Sequence, residues 1–191
     1  MESKQTQLLQ TYETLLVSWD KTHNLISFGQ RKNLKQHIED SLSVSLMIGK
    51  YVVDLGSGGG LPGIPLAITN PQKQFILVES NTKKASFLLN TVTKLNLHNT
   101  EVINERIENI DSSNFPDRFD IVSRAVGSIE ANIALTEQLL KKKGVYLKLM
   151  KTEDQFFKEH LPTGYNVKKI DKYLTKTKDK TRILVTIEKV Q

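Results

Sequence analysis

The strongest constraint on this chain is a glycine-rich turn at residues 56–63, which follows an apolar run at residues 51–53. The apolar run predicts a buried strand that Asp54 closes, and the apolar residues beginning with Pro65 predict a helix. Glycines let the backbone take positive φ and approach a ligand closely, and a helix N-terminus directs unpaired N–H groups towards it. The turn therefore predicts a ligand-binding site, with a tight turn that binds nothing as the simpler alternative.

Two kinds of ligand fit this turn. Gly58, Gly60 and Gly63 match G-x-G-x-x-G, the pattern typical of dinucleotide sites. In such sites the first glycine follows the strand almost directly, whereas here Asp54 and Gly56 come first, and two prolines surround the third glycine. An acid followed by x-Gly-x-Gly suits a ligand with an amino-acid end and a ribose but no pyrophosphate. This favours S-adenosylmethionine, bound at Asp54, Gly56 and Gly58, over a nicotinamide cofactor.

A second acid follows the next predicted strand, residues 75–78. Glu79 lies 19 residues beyond Gly60, where α/β nucleotide sites place the carboxylate that receives the ribose hydroxyls. The alternative is a surface acid that caps the following helix.

Two later strand ends supply further candidates. Ile107 and Glu108 follow a predicted strand at 100–103, and we expect them to enclose adenine and to accept from its amino group. Arg124 follows a strand at 119–123, at an edge where ligands bind in open α/β sheets. It could pair with the methionine carboxylate or a substrate phosphate, and a surface salt bridge is the alternative.

Composition limits the class of protein. With 191 residues, 38% hydrophobic and 25% charged, we expect one domain. No apolar run approaches the roughly 20 residues of a membrane span, and residues 1–20 do not resemble a secretory signal, so a cytoplasmic location is expected. The absence of cysteine excludes disulfides, cysteine–zinc sites and thiol nucleophiles.

The net charge of +6 is unevenly distributed. Residues 1–140 carry 13 basic and 15 acidic side chains, whereas residues 141–191 carry 14 and 6. The basic residues at 141–143, Lys148, Lys151 and the stretch 168–182 predict a surface that binds the phosphates of nucleic acid. A solvated, lysine-rich edge hairpin is the alternative.

The first 49 residues predict two helices ahead of the glycine turn. Apolar residues recur at helical spacing over residues 8–19 and again over 34–46, with a connector at 19–27 between them. His37, Asp40 and Ser41 fall within about one turn of helix. Their order matches no nucleophile triad, so we interpret them as a hydrogen-bonded structural cluster.

The order of the elements predicts the fold class. Five β/α repeats are followed by two strands, Tyr165–Tyr173 and Arg182–Glu188, joined by a lysine-rich turn. This predicts an α/β, Rossmann-like class I S-adenosylmethionine-dependent methyltransferase fold, with a mostly parallel sheet and a C-terminal antiparallel hairpin. We expect a single domain over residues 1–191, made of an N-terminal helical cap (1–49) and an α/β core (50–191).

Five motifs extend the argument to a family. They are Trp19-Asp-Lys-x-x-Asn24-Leu25, His37-Ile-x-Asp40-Ser41, Asp54-Leu-Gly-Ser-Gly-x-Gly-Leu61-Pro-Gly-Ile-Pro65, Val122-Ser-Arg124-Ala125 and Arg182-Ile-Leu-Val185. Together they resemble the bacterial RsmG (GidB) family of 16S rRNA guanine-N7 methyltransferases over nearly the full chain. Residues 148–151 depart from the family's lysine-glycine turn, which leaves open whether Lys148 or Lys151 takes the place of that lysine.

The resemblance implies an activity and a site. It implies transfer of a methyl group from S-adenosylmethionine to N7 of a guanine in 16S rRNA or the small ribosomal subunit. Gly56 and Leu61 would contact the cofactor, Ile107 and Glu108 would flank its adenine, and Arg124 would line the same site. We add Lys148, Lys151 and His37 as candidate RNA-binding residues, and we expect no metal and a monomer.

Methylation at guanine N7 agrees with the absence of motifs that other nucleic-acid methylations need. Methylation at carbon five of a pyrimidine needs a cysteine, and methylation of an adenine amine usually accompanies an Asn/Asp-Pro-Pro-aromatic loop; both are absent. Guanine N7 has a lone pair and no proton, so proximity and orientation suffice and we predict no catalytic acid or base. The residues are also compatible with a small-molecule methyltransferase and with an RNA-binding protein that has a degenerate methyltransferase fold.

Overall fold

The computed structural model describes residues 3–124, 127–173 and 181–190, and within them the chain forms seven helices and seven strands. The helices are α1 (Ser3–His23), α2 (Phe28–Lys32), α3 (Leu34–Ser43), α4 (Gly63–Thr69), α5 (Thr82–Lys94), α6 (Ile129–Leu140) and α7 (Glu153–Phe156). The strands are β1 (Tyr51–Leu55), β2 (Gln74–Val78), β3 (Thr100–Ile103), β4 (Phe119–Arg124), β5 (Val145–Thr152), β6 (Tyr165–Tyr173) and β7 (Arg182–Lys189). Short 3₁₀ helices cover Ser45–Met47, Ile107–Asn109 and Ser112–Asn114.

All seven strands belong to one sheet with the order β3-β2-β1-β4-β5-β7-β6. The first five in this order run parallel, whereas β7 is antiparallel to both β5 and β6. The strand order reverses between β1 and β4, and ligands of open α/β sheets bind at the carboxyl ends of strands next to such a reversal. The predicted mostly parallel sheet with an antiparallel hairpin is therefore confirmed.

Two hydrophobic clusters cover the two faces of the sheet. Successive residues of β1 alternate between them, since Val52 belongs to the first cluster and Val53 to the second. The first cluster also contains residues of α1, α3, α4 and α5, and the second contains the apolar residues of α6. The alternation explains why the central parallel strands β1 and β4 are mostly apolar: both of their faces are buried.

The N-terminal helices share the first cluster rather than forming a core of their own. α1 packs against α4 and α5, and α3 packs against α4. Tyr12 of α1 is fully buried, and its hydroxyl donates a hydrogen bond to the carbonyl oxygen of Gly59 (2.6 Å). The first of the N-terminal helices is thereby fixed to the glycine turn.

Several predicted boundaries differ from the structure. α1 continues through most of the predicted connector to His23, where Asn24 takes a φ of 49° and the helix ends. The connector also contains the cap of α2, whose start is fixed by a capping box between Ser27 and Gln30. The placement of Leu46 on an inner helix face is wrong: it is 97% exposed, because α3 ends at Ser43 and a 3₁₀ helix changes the helical phase.

The C-terminal region also differs in places. α7 is a single turn that ends at Phe156, and β5 extends to Thr152 because it stays paired with β7 up to Arg182. The predicted lysine-rich turn falls on residues 174–180, which lie outside the described residues. No helix in the described part of the chain is both long and apolar enough to cross a membrane.

Gly63 provides a test of the packing around the glycine turn. A Cβ atom at this position would lie 2.5 Å from Oδ2 of Asp54 and would also collide with the side chain of Leu77. We therefore expect Gly63→Ala to lower the free energy of unfolding by about 1–3 kcal/mol, the usual cost of overpacking a core. Urea unfolding measures the change.

Gly29 of α2 supplies the matched control, because a Cβ there would meet no atom within 4 Å. Gly29→Ala should leave the free energy of unfolding unchanged or raise it by up to about 1 kcal/mol, since alanine favours helix. Equal losses in the two variants would contradict the packing argument.

Candidate active site

The glycine turn curls over the carboxyl ends of β1 and β2. The backbone N–H groups of Gly56 and Ser57 both donate to the carbonyl oxygen of Val78, at 3.0 and 3.1 Å. Gly58 and Gly60 have φ values of 54° and 88°, in the left-handed region that favours glycine. The turn is therefore built on glycine conformations and attached to the neighbouring strand.

Asp54 lies buried beneath the turn, with 1% of its surface exposed. Its Oδ2 atom accepts a hydrogen bond from the N–H of Gly63 (3.0 Å), and its Oδ1 atom has no hydrogen-bond partner within the described structure. Burial raises the pKa of Asp54 to about 7, against the opposing effect of the Gly63 hydrogen bond. The site thus contains one buried acceptor that the protein does not satisfy.

Glu79 joins the glycine turn to the start of α5. It is 7% exposed, its Oε2 accepts from the N–H of Gly58 and its Oε1 from the N–H of Asn81, both at 2.8 Å. The surface-acid alternative is wrong, because the cap of α5 is the side chain of Asn81, which accepts from the N–H groups of Lys83 and Lys84. A carboxylate has about four acceptor positions, so Glu79 retains capacity for two further donors.

The 3₁₀ helix after β3 carries the two adenine candidates. Ile107 is buried with 4% exposure in the second hydrophobic cluster, whereas Glu108 is exposed. Leu61, also predicted to contact the cofactor, is buried in the first cluster. All three follow strands or turns at the carboxyl edge of the sheet.

Arg124 ends β4 and is a buried cation of this edge, with 7% of its side chain exposed. Its Nη1 donates to the carbonyl oxygen of His37 (3.2 Å) and lies 3.6 Å from Oδ2 of Asp40. Its Nη2 is buried and has no hydrogen-bond partner among the described residues. The surface-salt-bridge alternative is therefore wrong, and a second unsatisfied polar group belongs to the same edge.

A cleft of about 560 Å³ opens beside Arg124. Its basic lining residues are His37, Arg124, Lys151 and Arg182, and its one acid is Asp40. Asp40 lies 3.9 Å from the guanidinium of Arg182 and 3.6 Å from that of Arg124. The cleft is positively charged and fits an anionic ligand.

His37 is half-buried in this cleft and is not part of a nucleophilic triad. Burial lowers the pKa of His37 and the nearby Arg124 lowers it further, although Asp40 opposes the shift. The hydroxyl of Ser41 donates to the carbonyl oxygen of His37 (2.8 Å) rather than to its ring. This agrees with the interpretation of the three residues as a structural cluster.

The structure separates the two candidate lysines of β5. Lys151 lines the cleft, where its Nζ contacts Oε1 of Glu159 (2.6 Å). Lys148 lies elsewhere: its Nζ forms an ion pair with the buried Asp120 (3.0 Å) and also donates to the carbonyl oxygen of Met47. Of the two, only Lys151 is placed to reach a ligand in the cleft.

Sequence reasoning missed several residues of this region. The sequence predicted Tyr12 only as an inward-facing helix residue, and Arg182 only as part of a motif. Phe28 and Phe157, 79% and 72% exposed, lie within two residues of positions that line the cleft. The Ser-x-x-Gln capping box before Phe28 was a usable signal for α2.

Comparisons with known proteins agree with this architecture. The family model described as "GidB: rRNA small subunit methyltransferase G" matches residues 5–185. The "Ribosomal RNA small subunit methyltransferase G" of Hydrogenovibrio crunogenus is 38% identical over 184 residues, which cover 94% of this chain and 83% of that protein.

Two solved structures show the fold. A SAM-dependent methyltransferase from Aquifex aeolicus superposes with a TM-score of 0.58 at 15% identity, covering 85% of this chain and 98% of that one. Magnesium protoporphyrin IX methyltransferase from Synechocystis with bound SAM gives a TM-score of 0.56 at 13% identity, with 98% of both chains covered. At these identities the likeness concerns the fold alone.

The buried carboxyl group of Asp54 predicts a specific pH dependence. The pKa of Asp54 is about 7 in the folded chain and exceeds the ordinary value of 3.8. At a pH between these two values, folding is therefore accompanied by the uptake of a proton. The contribution of Asp54 to the free energy of unfolding should therefore fall as pH rises from about 4 to 7 and stay level above. Asp54→Asn should remove this contribution.

Urea unfolding of both proteins at pH 5 and pH 8 tests this, because other titrating groups cancel in the difference. We expect wild type to lose up to about 3 kcal/mol relative to Asp54→Asn between the two pH values. A difference that is independent of pH would mean that Asp54 is already ionised at pH 5.

Proposed function

The chain belongs to the rRNA small subunit methyltransferase G (GidB) family, and we propose that it transfers a methyl group from S-adenosylmethionine to N7 of a guanine in 16S rRNA. The observation that carries this proposal is the position of Arg124. It follows Ser123, which pairs with Leu55 at the carboxyl end of β1, and its guanidinium lines the basic cleft. The glycine turn and the basic cleft therefore meet at one side chain.

The residues around the glycine turn fit the cofactor. S-adenosylmethionine supplies an electrophilic methyl group on its sulfonium. The unsatisfied Oδ1 of Asp54 and Nη2 of Arg124 have charges opposite to those of the methionine ammonium and carboxylate. In this proposal Gly56, Gly58 and Leu61 border the ligand.

The remaining cofactor contacts follow the order of the strands. Glu79 receives the ribose hydroxyls with its two spare acceptor positions. Ile107 covers a face of adenine, and the exposed carboxylate of Glu108 accepts from the adenine amine. The support for these roles is the placement of the three residues at the carboxyl ends of β2 and β3.

The cleft supplies orientation rather than proton transfer. Guanine N7 carries no proton, so the protein needs to hold it in line with the methyl group and to exclude water. Arg124, Lys151 and Arg182 supply positive charge that attracts phosphate groups. His37 lines the cleft, so we assign it to RNA contact, and because N7 has no proton to remove we assign no residue as a general base.

The substrate in this proposal is 16S rRNA or the small subunit that contains it. The guanine has to leave its stack, because N7 lies in the deep, narrow major groove of A-form RNA. Lys151 and Arg182 hold neighbouring phosphates, and the exposed rings of Phe28 and Phe157 offer stacking surfaces for adjacent bases. We propose that the enzyme acts as a monomer in the cytoplasm, without a metal.

The site favours none of the competing functions. A nicotinamide oxidoreductase is overturned by the family match and by β7, which runs antiparallel between β5 and β6 instead of continuing a parallel sheet. A small-molecule methyltransferase would not need a cleft lined by four basic residues. An RNA-binding protein with a degenerate methyltransferase fold would not need to keep unsatisfied charged groups at Asp54 and Arg124.

Transfer of a labelled methyl group to unmodified bacterial small-subunit rRNA tests the function. We expect label from S-adenosylmethionine to appear in 7-methylguanosine after nucleoside analysis, on free 16S rRNA or on whole subunits. Cofactor binding without labelled RNA on either substrate would overturn the rRNA assignment and favour a small-molecule acceptor.

A cofactor-binding measurement with Glu79→Gln tests the ribose contact. The amide keeps the shape but loses the charge and one acceptor, so we expect the cofactor Kd to rise about tenfold or more, equivalent to about 1.4 kcal/mol. Glu101→Gln, on an exposed position of β3, is the control and should bind the cofactor as wild type does.

The two lysines of β5 form a matched pair. Lys151→Met should raise the KM for rRNA several-fold, because its ammonium lies in the cleft. It should lower the free energy of unfolding less than Lys148→Met does, because its partner Glu159 is 21% exposed and still accepts from the N–H of Ile129. Lys148→Met should leave the KM unchanged and lower the free energy of unfolding by about 3–5 kcal/mol, because it strips the buried Asp120 of its ion-pair partner. Steady-state kinetics and urea unfolding would show the reverse pattern if Lys148 contacted RNA.

A further inference from the structure

A second basic surface lies at the opposite edge of the sheet from the glycine turn. We define the rear basic surface by Lys50, Arg118, Lys143, Lys168 and Lys189, with the rings of Tyr51 and Tyr146 among them. Lys50 and Arg118 directly precede β1 and β4, and Lys143 precedes β5 by two residues. Parallel strands begin at the same edge, so these three cations lie together at the amino-terminal edge.

Two adjoining cavities of about 550 and 830 Å³ form this surface and share Lys143, Gly144 and Tyr146. The rear basic surface is therefore continuous and concave rather than a scatter of separate lysines. A concave surface can follow a chain of phosphates over several contacts.

Acids line the two cavities as well, but two of them are already paired. Glu188 contacts Lys168 (2.7 Å), and the buried Asp120 pairs with Lys148 (3.0 Å). Asp117 is the remaining acid of the lining. The acids therefore neutralise the surface only in part.

Three cations of this surface are available to a ligand. Within residues 3–124, 127–173 and 181–190, no carboxylate forms an ion pair with Lys50, Arg118 or Lys143. All three side chains are exposed. The surface thus keeps a positive charge that faces solvent.

Several of the side chains are held in place by their neighbours. The ammonium of Lys168 lies 4.3 Å from the centre of the Tyr146 ring and 3.0 Å from its hydroxyl, and Lys50 lies 5.4 Å from the centre of the Tyr51 ring. Arg118 packs over Gly144, where a Cβ atom would come within 2.9 Å of its Cγ. Cations interleaved with aromatic rings are typical of surfaces that bind RNA, where phosphates meet the charges and bases stack on the rings.

From this geometry we propose that the rear basic surface binds the backbone of a second segment of the substrate rRNA, away from the methylated guanine. The inference rests on the proposed function for the identity of the RNA. Strands of five to eight residues separate the two edges of the sheet by about 17–26 Å. A short hairpin that fills the cleft therefore does not reach the rear basic surface, whereas folded 16S rRNA does.

The test compares wild type with the triple variant Lys50→Gln, Arg118→Gln and Lys143→Gln. Glutamine preserves most of the length and removes the charge at positions outside the proposed active site. The control is Lys4→Gln, Lys21→Gln and Lys94→Gln, which removes three exposed charges from α1 and α5. Each protein is measured with intact 16S rRNA and with a short hairpin that contains the methylated guanine.

We expect the triple variant to bind intact 16S rRNA at least about tenfold more weakly than wild type or the control. The slope of log K against log salt should decrease by about two units, because each single-strand phosphate contact contributes about 0.7. Its kcat, its cofactor Kd and its affinity for the hairpin should equal those of wild type.

Equal affinity of the triple variant and the control for intact rRNA would overturn the inference. An equal loss on rRNA and on the hairpin would also overturn it, because a general electrostatic field would then explain the effect. If wild type formed no 7-methylguanosine while the triple variant still lost affinity for intact rRNA, the proposed function would fail and the rear RNA contact would stand.

Discussion

The rest of the site depends on how the glycine turn is held. Asp54 accepts from the N–H of Gly63, Glu79 accepts from the N–H of Gly58, and Tyr12 donates to the carbonyl oxygen of Gly59. These contacts come from β1, from the end of β2 and from α1, so the turn is fixed from three directions. Its shape is set before any ligand binds, which lowers the ordering cost of binding. The N-terminal helices contribute to the site through this arrangement.

The unsatisfied groups beside this turn connect stability with function. A buried polar atom without a partner costs about 1–3 kcal/mol, and the atoms of this kind at the edge of the sheet include Oδ1 of Asp54 and Nη2 of Arg124. A ligand with an amino-acid end recovers that cost when it binds, because its ammonium and carboxylate have charges opposite to those of Asp54 and Arg124. The raised pKa of Asp54 has the same origin, because burial favours the protonated carboxyl group.

The positive charge of the chain falls at both edges of the sheet. The antiparallel hairpin contributes to both, since β7 starts with Arg182 at the cleft and ends with Lys189 at the opposite edge. The basic C-terminal quarter thus supplies cations to two surfaces, which Arg124 at the cleft and Lys50 and Arg118 at the opposite edge complete. A large folded RNA can contact both, and this distinguishes rRNA from a small anionic substrate.

The sequence by itself determined the elements and the glycine turn. β3 has the predicted bounds, and Glu79 directly follows the predicted second strand, because strand periodicity and glycine conformation act over a few neighbouring residues. Alternation along β5 already required Lys148 and Lys151 to face opposite sides, but it could not say which side holds the cleft. Only the tertiary structure decided this, and it also joined Arg124 to His37 across 87 positions of sequence. Such contacts depend on which faces pack together, and local sequence carries no record of that choice.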